Sequence, residues 1–198
     1  MRRLVVISAG LSVPSSTRLL ADRLSAAAVE AIHGPVEVDV IELRPLAHLL
    51  ADNLLTGFAT GELAEAIETV RRADALIVVT PVFAASYSGL FKTFFDVIEP
   101  DLLTGVPVLI AATAGTARHS LVLEHALRPL FSYLHATVVP TAVFAASEDF
   151  GEAGLDSRIE RAAGELAILL SGAPRQRART LEEEFADPTP FEDLLRGA

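Results

Sequence analysis

ALIVVTPVFAASYSGLFKTFFD, residues 75–96, is the stretch on which the fold turns. Its first five residues, Ala75-Leu76-Ile77-Val78-Val79, are apolar and rich in β-branched side chains, the pattern of a short strand buried on both faces. Pro81 has no N–H to give a sheet ladder and is expected to end that strand. Val82 and Phe83 lead into a loop of small and hydroxylated residues (Ala84, Ala85, Ser86, Ser88, Gly89) that contains one aromatic, Tyr87. Such a loop lets a flat ligand lie against backbone N–H groups while hydroxyls supply directed hydrogen bonds. Leu90, Phe91, Phe94, Phe95 and Ile98 then recur at helical spacing, with Lys92, Asp96 and Glu99 on the other side. The stretch reads as strand, ligand-sized loop, helix.

Two further turns have the same character. Leu4-Val5-Val6-Ile7 is a buried strand that runs into Ser8-Ala9-Gly10-Leu11-Ser12-Val13-Pro14-Ser15-Ser16-Thr17 and then a helix expected to turn Leu19, Leu20, Leu24, Ala27, Ala28, Ala31 and Ile32 inward. Ser12, Ser15, Ser16 and Thr17 at a helix N-terminus make a phosphate cradle, since free N–H groups and the positive dipole end attract an anion. The competing reading is an N-cap cluster that only starts the helix. Val106 to Ala112 is a third buried strand. It opens into Thr113-Ala114-Gly115-Thr116, followed by Arg118, His119 and Ser120. His119 is counted as a candidate ligand contact, against a surface residue of the first turn.

Between these lie Val36 to Leu43, alternating as an edge strand does, a short helical excursion within 44–61, and a helix from Glu62 to Arg72. After them come a helix near 120–135 containing Pro129, a last strand Thr137–Phe144 interrupted by Pro140, and a helix from Asp156 to Ser171. Regular strand–helix alternation predicts a doubly wound α/β fold with a five-stranded parallel sheet of order 2-1-3-4-5. Strands one, three and four are then neighbours, and a ligand crevice lies beyond their carboxyl ends. The domain is expected to span 1–172, followed by a charged tail over 173–198. Pro129 frees the carbonyl of His125, a place where kinks or π-type turns form.

TPVFAASYSGLFKTFFD resembles the TPVY-x-A-x-YSG-x-x-K-x-x-x-D signature of the NADPH-dependent FMN reductases, a flavodoxin-like family. ATAGTARHSLVLEHALRP resembles the ATGGT-x-x-H-x-L-x-x-x-x-AL-x-P segment of its sulfonate-associated members, some of which carry a tyrosine in a π-type insertion where this chain has His125. The resemblance implies FMN and NADPH or NADH as cofactors, with hydride passing from nicotinamide C4 to flavin N5. No side chain then needs to act as acid or base. It implies a flavin ring against Pro81, Val82, Phe83, Ser86, Tyr87, Ser88 and Gly89, with Thr113, Ala114, Gly115, Thr116 and His119 alongside. The FMN phosphate falls among Ser12, Ser15, Ser16 and Thr17. The family usually reads G-S-x-R-x-x-S in that loop, whereas this chain has Gly10-Leu11-Ser12-Val13; Arg18 is the substitute cation at hand. The resemblance further implies a flavin-dependent monooxygenase as partner and a homodimer or homotetramer. Surplus apolar residues on the motif helix (Phe91, Phe94, Phe95) point to the same association. Two alternatives stay open: a quinone or azo reductase with tightly held FMN, and a flavodoxin-like electron carrier.

The totals bound these readings. The chain has 198 residues, of which 51% are hydrophobic and 21% charged, enough for one domain with a real core. No apolar run approaches the ~20 residues that span a bilayer, and the start leads straight into a strand without a cleavage site, so a cytoplasmic protein is expected. A net charge of −10 argues against nucleic acid as a partner. There are no cysteines, which excludes disulfides and thiolate chemistry. None of the histidines pairs at i, i+4 with a glutamate as in a helical zinc site, and Ser86 and Ser88 lie outside any G-x-S-x-G.

Overall fold

A computed structural model describes residues 1–172; the tail expected over 173–198 lies outside the described residues. The strands are β1 (Arg2–Ser8), β2 (Val36–Glu42), β3 (Ala75–Phe83), β4 (Ser86–Tyr87), β5 (Pro107–Ala114), β6 (Thr137–Val138) and β7 (Val143–Ala146). The helices are α1 (Ser16–Ala31), α2 (Ala47–Thr56), α3 (Gly61–Arg71), α4 (Gly89–Val97), α5 (Arg128–Tyr133) and α6 (Ala153–Leu170). The main sheet runs β2-β1-β3-β5, with β6 and β7 both laid along the far side of β5. Every one of these pairings is parallel.

The alternation within each central strand sorts the core into two layers. Leu4, Val6, Ile77 and Val79 face α1 and α6, where Leu20, Leu24, Ile159 and Leu166 meet them. Leu19, expected inward on α1, is instead 45% exposed. Val5, Ile7, Leu76 and Val78 face the other way, against Leu50 of α2, Leu63 and Val70 of α3, and the phenylalanines of α4. A parallel sheet with both faces covered needs this near-continuous apolar strand composition. β2, wetter along its length, pairs with β1 alone and is the edge.

The sheet departs from five simple strands in two places, and a proline stands at each. Pro140 splits the expected last strand. Val139 still donates to the Val108 carbonyl at 3.0 Å, and pairing resumes only at Val143 opposite Ala111. Carbonyls left over at the break are taken up by one side chain: Arg128 donates to Val139 O at 3.1 Å and to Pro140 O at 3.0 Å. Glu165 of α6 accepts from the Thr141 N–H at 2.6 Å and from its hydroxyl at 2.7 Å. Buried or half-buried backbone groups must find partners somewhere, and here two long side chains provide them.

Pro81 is the second place, and it corrects an expectation. β3 does not end there but continues to Phe83. Pro81 stands opposite Thr113 at the last β3–β5 pairing, and Val82 and Phe83 then pair antiparallel with Tyr87 and Ser86 of β4. The missing N–H ends the parallel ladder while the strand runs on into a hairpin. Ser86 and Tyr87, expected in a loop, are therefore a short strand.

The three aromatics of α4 overturn the packing basis for association. Phe91 and Phe94 are fully buried and Phe95 is 3% exposed. They stack within the chain, Phe91 on Phe95 at 4.8 Å between ring centroids and Phe95 edge-on to Phe131 at 4.9 Å. Phe131 of α5 covers Phe91 and Phe95, and α2 packs against the same helix.

Candidate functional site

The crevice lies at the carboxyl ends of β1, β3 and β5, where three chain segments leave the sheet. The first is residues 9–17. Ala9 N–H donates to Val79 O at 3.0 Å, so the loop begins as an extension of the sheet. Ser15 is the N-cap of α1, its side-chain oxygen accepting from Arg18 N–H at 3.2 Å. Gly10 lies beneath it: a Cβ there would stand 2.2 Å from Ser15 Oγ. No other residue lets the cap sit where it does. Ser12 and Ser16 are exposed, while Thr17 is buried.

The β3–β4 hairpin is the second segment. Ala84 and Ala85 form its two-residue tip with φ of 47° and 67°. Positive φ at both central residues is the type I′ arrangement, which matches the twist of the flanking strands and is usually filled by Asn-Gly. Alanine there costs about 1 kcal/mol or more per residue. Below the tip, Thr80 is fully buried; its hydroxyl accepts from Ser88 N–H at 3.0 Å and donates to Pro81 O at 2.9 Å. Ser88 in turn caps α4, accepting from Phe91 N–H at 3.1 Å. One threonine and one serine thus fix the hairpin to the helix that follows. Pro81, Val82, Ser86 and Tyr87 are half-buried and Phe83 and Gly89 exposed. The Tyr87 ring rests against Phe91, with centroids 6.0 Å apart.

The third segment follows β5. Thr113 is buried, Ala114 half-buried, and Gly115, Thr116 and His119 exposed. Thr116 caps a single 3₁₀ turn, Ala117–His119, accepting from Arg118 N–H at 3.4 Å. Beyond it Leu123–Leu127 is a π-helical turn in which Arg128 N–H reaches back five residues to Leu123 O. His125 is exposed on that turn. The π-type turn expected near Pro129 is therefore present with histidine in place of tyrosine.

One contact joins the first and third segments. Thr17 Oγ1 and Thr113 Oγ1 lie 2.8 Å apart, both 3% exposed, across 96 residues of chain. Every expected contact residue of the three segments is thus at one edge of the sheet.

Arg18, expected as a substitute cation for a phosphate, is engaged elsewhere. Its Nε donates to Asp22 Oδ1 at 2.8 Å and its Nη1 to Glu42. The hydrogen bond to Asp22, above all, raises its pKa further beyond the ordinary arginine value. Lys92 pairs with Asp96 on α4. The Glu124 carboxyl is held below the usual carboxylate range, chiefly by its hydrogen bond from Arg128. The two residues that sequence reasoning missed here are Asp22 and Glu42; the i, i+4 spacing of Arg18 and Asp22 was the available signal. A groove of about 500 Å³ lined by Arg3, Glu37, Asp39, Glu65, Glu68 and Arg72 lies along the edge strand, away from this crevice. Ion pairs Arg3–Glu37 and Arg72–Glu68 occupy its walls.

Among the described residues no three carboxylates or imidazoles are grouped to hold a metal ion, and no helix is long and apolar enough to cross a membrane.

Comparison with known proteins identifies the family. The family model for NADPH-dependent FMN reductase matches residues 2–151. The chain belongs to that family. It is an oxidoreductase that uses FMN and a nicotinamide cofactor. It is 39% identical over 175 residues to the FMN reductase (NADPH) of Pseudomonas aeruginosa, covering 86% of this chain and 93% of that one. With the NADH-dependent FMN reductase SfnE of Pseudomonas putida it shares 42% identity over 178 residues, 85% of this chain and 92% of the relative. A solved oxidoreductase from Corynebacterium diphtheriae superimposes with a TM-score of 0.84 at 54% identity, covering 86% of this chain and 97% of that structure. Within this FMN reductase the hairpin, hydroxyl loop and third segment all leave the sheet at the carboxyl ends of β1, β3 and β5.

Proposed function

We propose that this FMN reductase treats FMN as a substrate that leaves once reduced, taking hydride from NADPH or NADH and handing reduced flavin to a flavin-dependent monooxygenase. The observation that carries the reading is the Thr17–Thr113 hydrogen bond, which draws the hydroxyl loop and the third segment into one crevice beside the β3–β4 hairpin. In this reading the phosphate lies among Ser12, Ser15, Ser16 and Thr17 at the N-terminus of α1. The ring lies along Pro81, Val82, Phe83 and the face formed by Ser86, Tyr87, Ser88 and Gly89. Thr113, Ala114, Gly115 and Thr116 close the other side, with His119 at the rim.

The residues present fit the group. Ser15 accepts a backbone N–H through its side-chain oxygen, which leaves its hydroxyl proton free to be donated; Ser88, also a cap, is buried and holds the hairpin in place. Gly10 keeps the approach to Ser15 open. Bound FMN supplies the hydride acceptor, so the chain's own task is to bind, orient and keep water from the ring. The donors are neutral, and Arg18 is already paired. Charge-assisted hydrogen bonds are roughly twice as strong as neutral ones, so a site without them holds phosphate only moderately. Moderate binding suits a flavin that must depart. The name of the SfnE relative supports NADH as well as NADPH as donor for this chain. A cytoplasmic location is part of the same proposal, consistent with the fact that no helix among the described residues is long and apolar enough to cross a membrane.

The protein is further proposed to act as a homodimer or homotetramer. Leu54, Leu55 and Phe58 at the end of α2, and Leu121 and Tyr133 around the π turn, are all more than half exposed, and such side chains favour burial against another chain. Sedimentation at micromolar concentration showing only monomer would remove that proposal.

The test of function is a titration. The protein is expected to purify largely free of flavin, to bind FMN in the micromolar range with only modest preference over riboflavin, and to oxidise NAD(P)H steadily when FMN is added. Ser16→Ala should weaken FMN binding by about 1 kcal/mol or more. FMN carried at nanomolar affinity through gel filtration would mean a prosthetic group and overturn the reading.

A further inference from the structure

Arg18 is the third residue of α1, in the turn that faces the hydroxyl loop. A helix N-terminus carries partial positive charge, so a cation there is out of place unless it is neutralised. Arg18 is neutralised twice over. Asp22 accepts from Nε at 2.8 Å one turn further along the same helix. Glu42, the last residue of β2, accepts from Nη1 across the mouth of the edge strand. Helix and strand converge on one side chain, and the three groups together carry one net negative charge beside the loop that would receive a phosphate dianion. Their side chains are 35%, 51% and 48% exposed, so their charges reach the crevice through partly screened surroundings.

We infer that Asp22 and Glu42 act as a carboxylate clasp that takes Arg18 out of flavin recognition, and that this clasp lowers the affinity for the FMN phosphate so that reduced flavin can leave. The inference rests on the reading that places the phosphate at residues 12–17. Asp22 and Glu42 are positioning residues: they act on the ligand through Arg18. Releasing Arg18 supplies a bidentate donor at the helix end where the phosphate arrives. The clasp therefore works on FMN and leaves riboflavin, which has no phosphate, untouched.

The test is equilibrium titration of the full chain with FMN and with riboflavin at one fixed low salt concentration. Glu42→Gln should tighten FMN roughly threefold to tenfold, and Asp22→Asn with Glu42→Gln further, with riboflavin changed less than about twofold. Arg18→Ala in the Glu42→Gln background should cancel the gain. The inference is overturned if the carboxylate variants leave FMN affinity unchanged, if riboflavin tightens equally, or if the gain survives without Arg18. Ser16→Ala, measured alongside, separates two failures. A loss of FMN affinity in Ser16→Ala with no gain in Glu42→Gln removes the clasp alone; no change in either removes the phosphate placement with it. All the carboxylate substitutions are at exposed side chains, and a thermal melt of each variant confirms that the fold is kept.

Discussion

Replacing Thr17 by valine tests the contact that closes the crevice. The change swaps a hydroxyl for a methyl at constant shape, and both residues are β-branched, so α1 loses little propensity. What it removes is one end of a 2.8 Å hydrogen bond between two residues that are each 3% exposed. Thr113 then keeps a buried hydroxyl with no partner among the described residues, which costs about 1–3 kcal/mol. Thr113→Val should cost a similar amount for the mirrored reason. The double variant removes both polar groups together, and such a replacement is close to neutral. The expected signature is a double variant that loses less than either single change, with a coupling energy of about 1–3 kcal/mol. Urea unfolding of the flavin-free protein measures it, with an unchanged m-value showing that two-state behaviour holds. In a chain of this size each kcal/mol moves Tm by roughly 2–4 °C. Additive losses, with the double variant as unstable as the sum of the singles, would refute the shared buried bond.

Three further outcomes follow from the geometry. Gly10→Ala places a Cβ 2.2 Å from Ser15 Oγ, so Ser15 must abandon its cap; stability should fall by about 1 kcal/mol in a thermal melt, and an unchanged Tm would show that the loop absorbs the methyl. Ala85→Gly relieves a left-handed alanine at φ 67° and should raise stability by about 0.5–1 kcal/mol despite glycine's larger unfolded-state entropy; a loss would mean the hairpin tip is not a type I′ turn. Glu124 has its pKa depressed below 4.5, mainly by Arg128. Its contribution is therefore present above that value and lost as pH falls through the lower folded-state pKa, and because the side chain is 50% exposed it should amount to well under about 1 kcal/mol. Glu124→Gln should flatten the stability profile below pH 4.5, and an unchanged acid slope would remove the assignment.

The fold was readable because its signals are short-range. A buried parallel strand is a run of apolar residues, and β1, β3 and β5 announce themselves as Leu4–Ile7, Ala75–Val79 and Val106–Ala112. Pro129 is a local signal too, since a proline frees a carbonyl at a fixed distance up the chain; it predicts a kink or a π-type turn, and the π turn forms. The misreadings arose where a residue's meaning depends on its neighbours in space. Pro81 looked like a strand end, yet its missing N–H falls where β3 changes from a parallel partner to an antiparallel one. The phenylalanines of α4 looked like an excess because Phe131, which covers them, comes 36 residues after Phe95 and sits on another helix.

Within the site the same boundary separates what could be read from what could not. Ser15 and Ser88 could be recognised as helix caps, because a cap and the N–H it accepts are three residues apart. Thr17 and Thr113 each look like ordinary loop-edge hydroxyls, and only adjacency of β1, β3 and β5 turns them into a pair. Arg18 shows the limit most clearly. Its spacing to Asp22 is a helical pair visible in the sequence, and a single surface pair of that kind is weak. A lone i, i+4 partner would leave a long, flexible guanidinium free to turn to an incoming phosphate. Glu42 makes the difference, because it comes from a separate strand and engages a second nitrogen of the same group. A side chain held from two elements has little freedom left to lose and must break two contacts to be recruited. Whether a basic residue beside a phosphate loop binds phosphate is therefore decided by the strand that ends next to it.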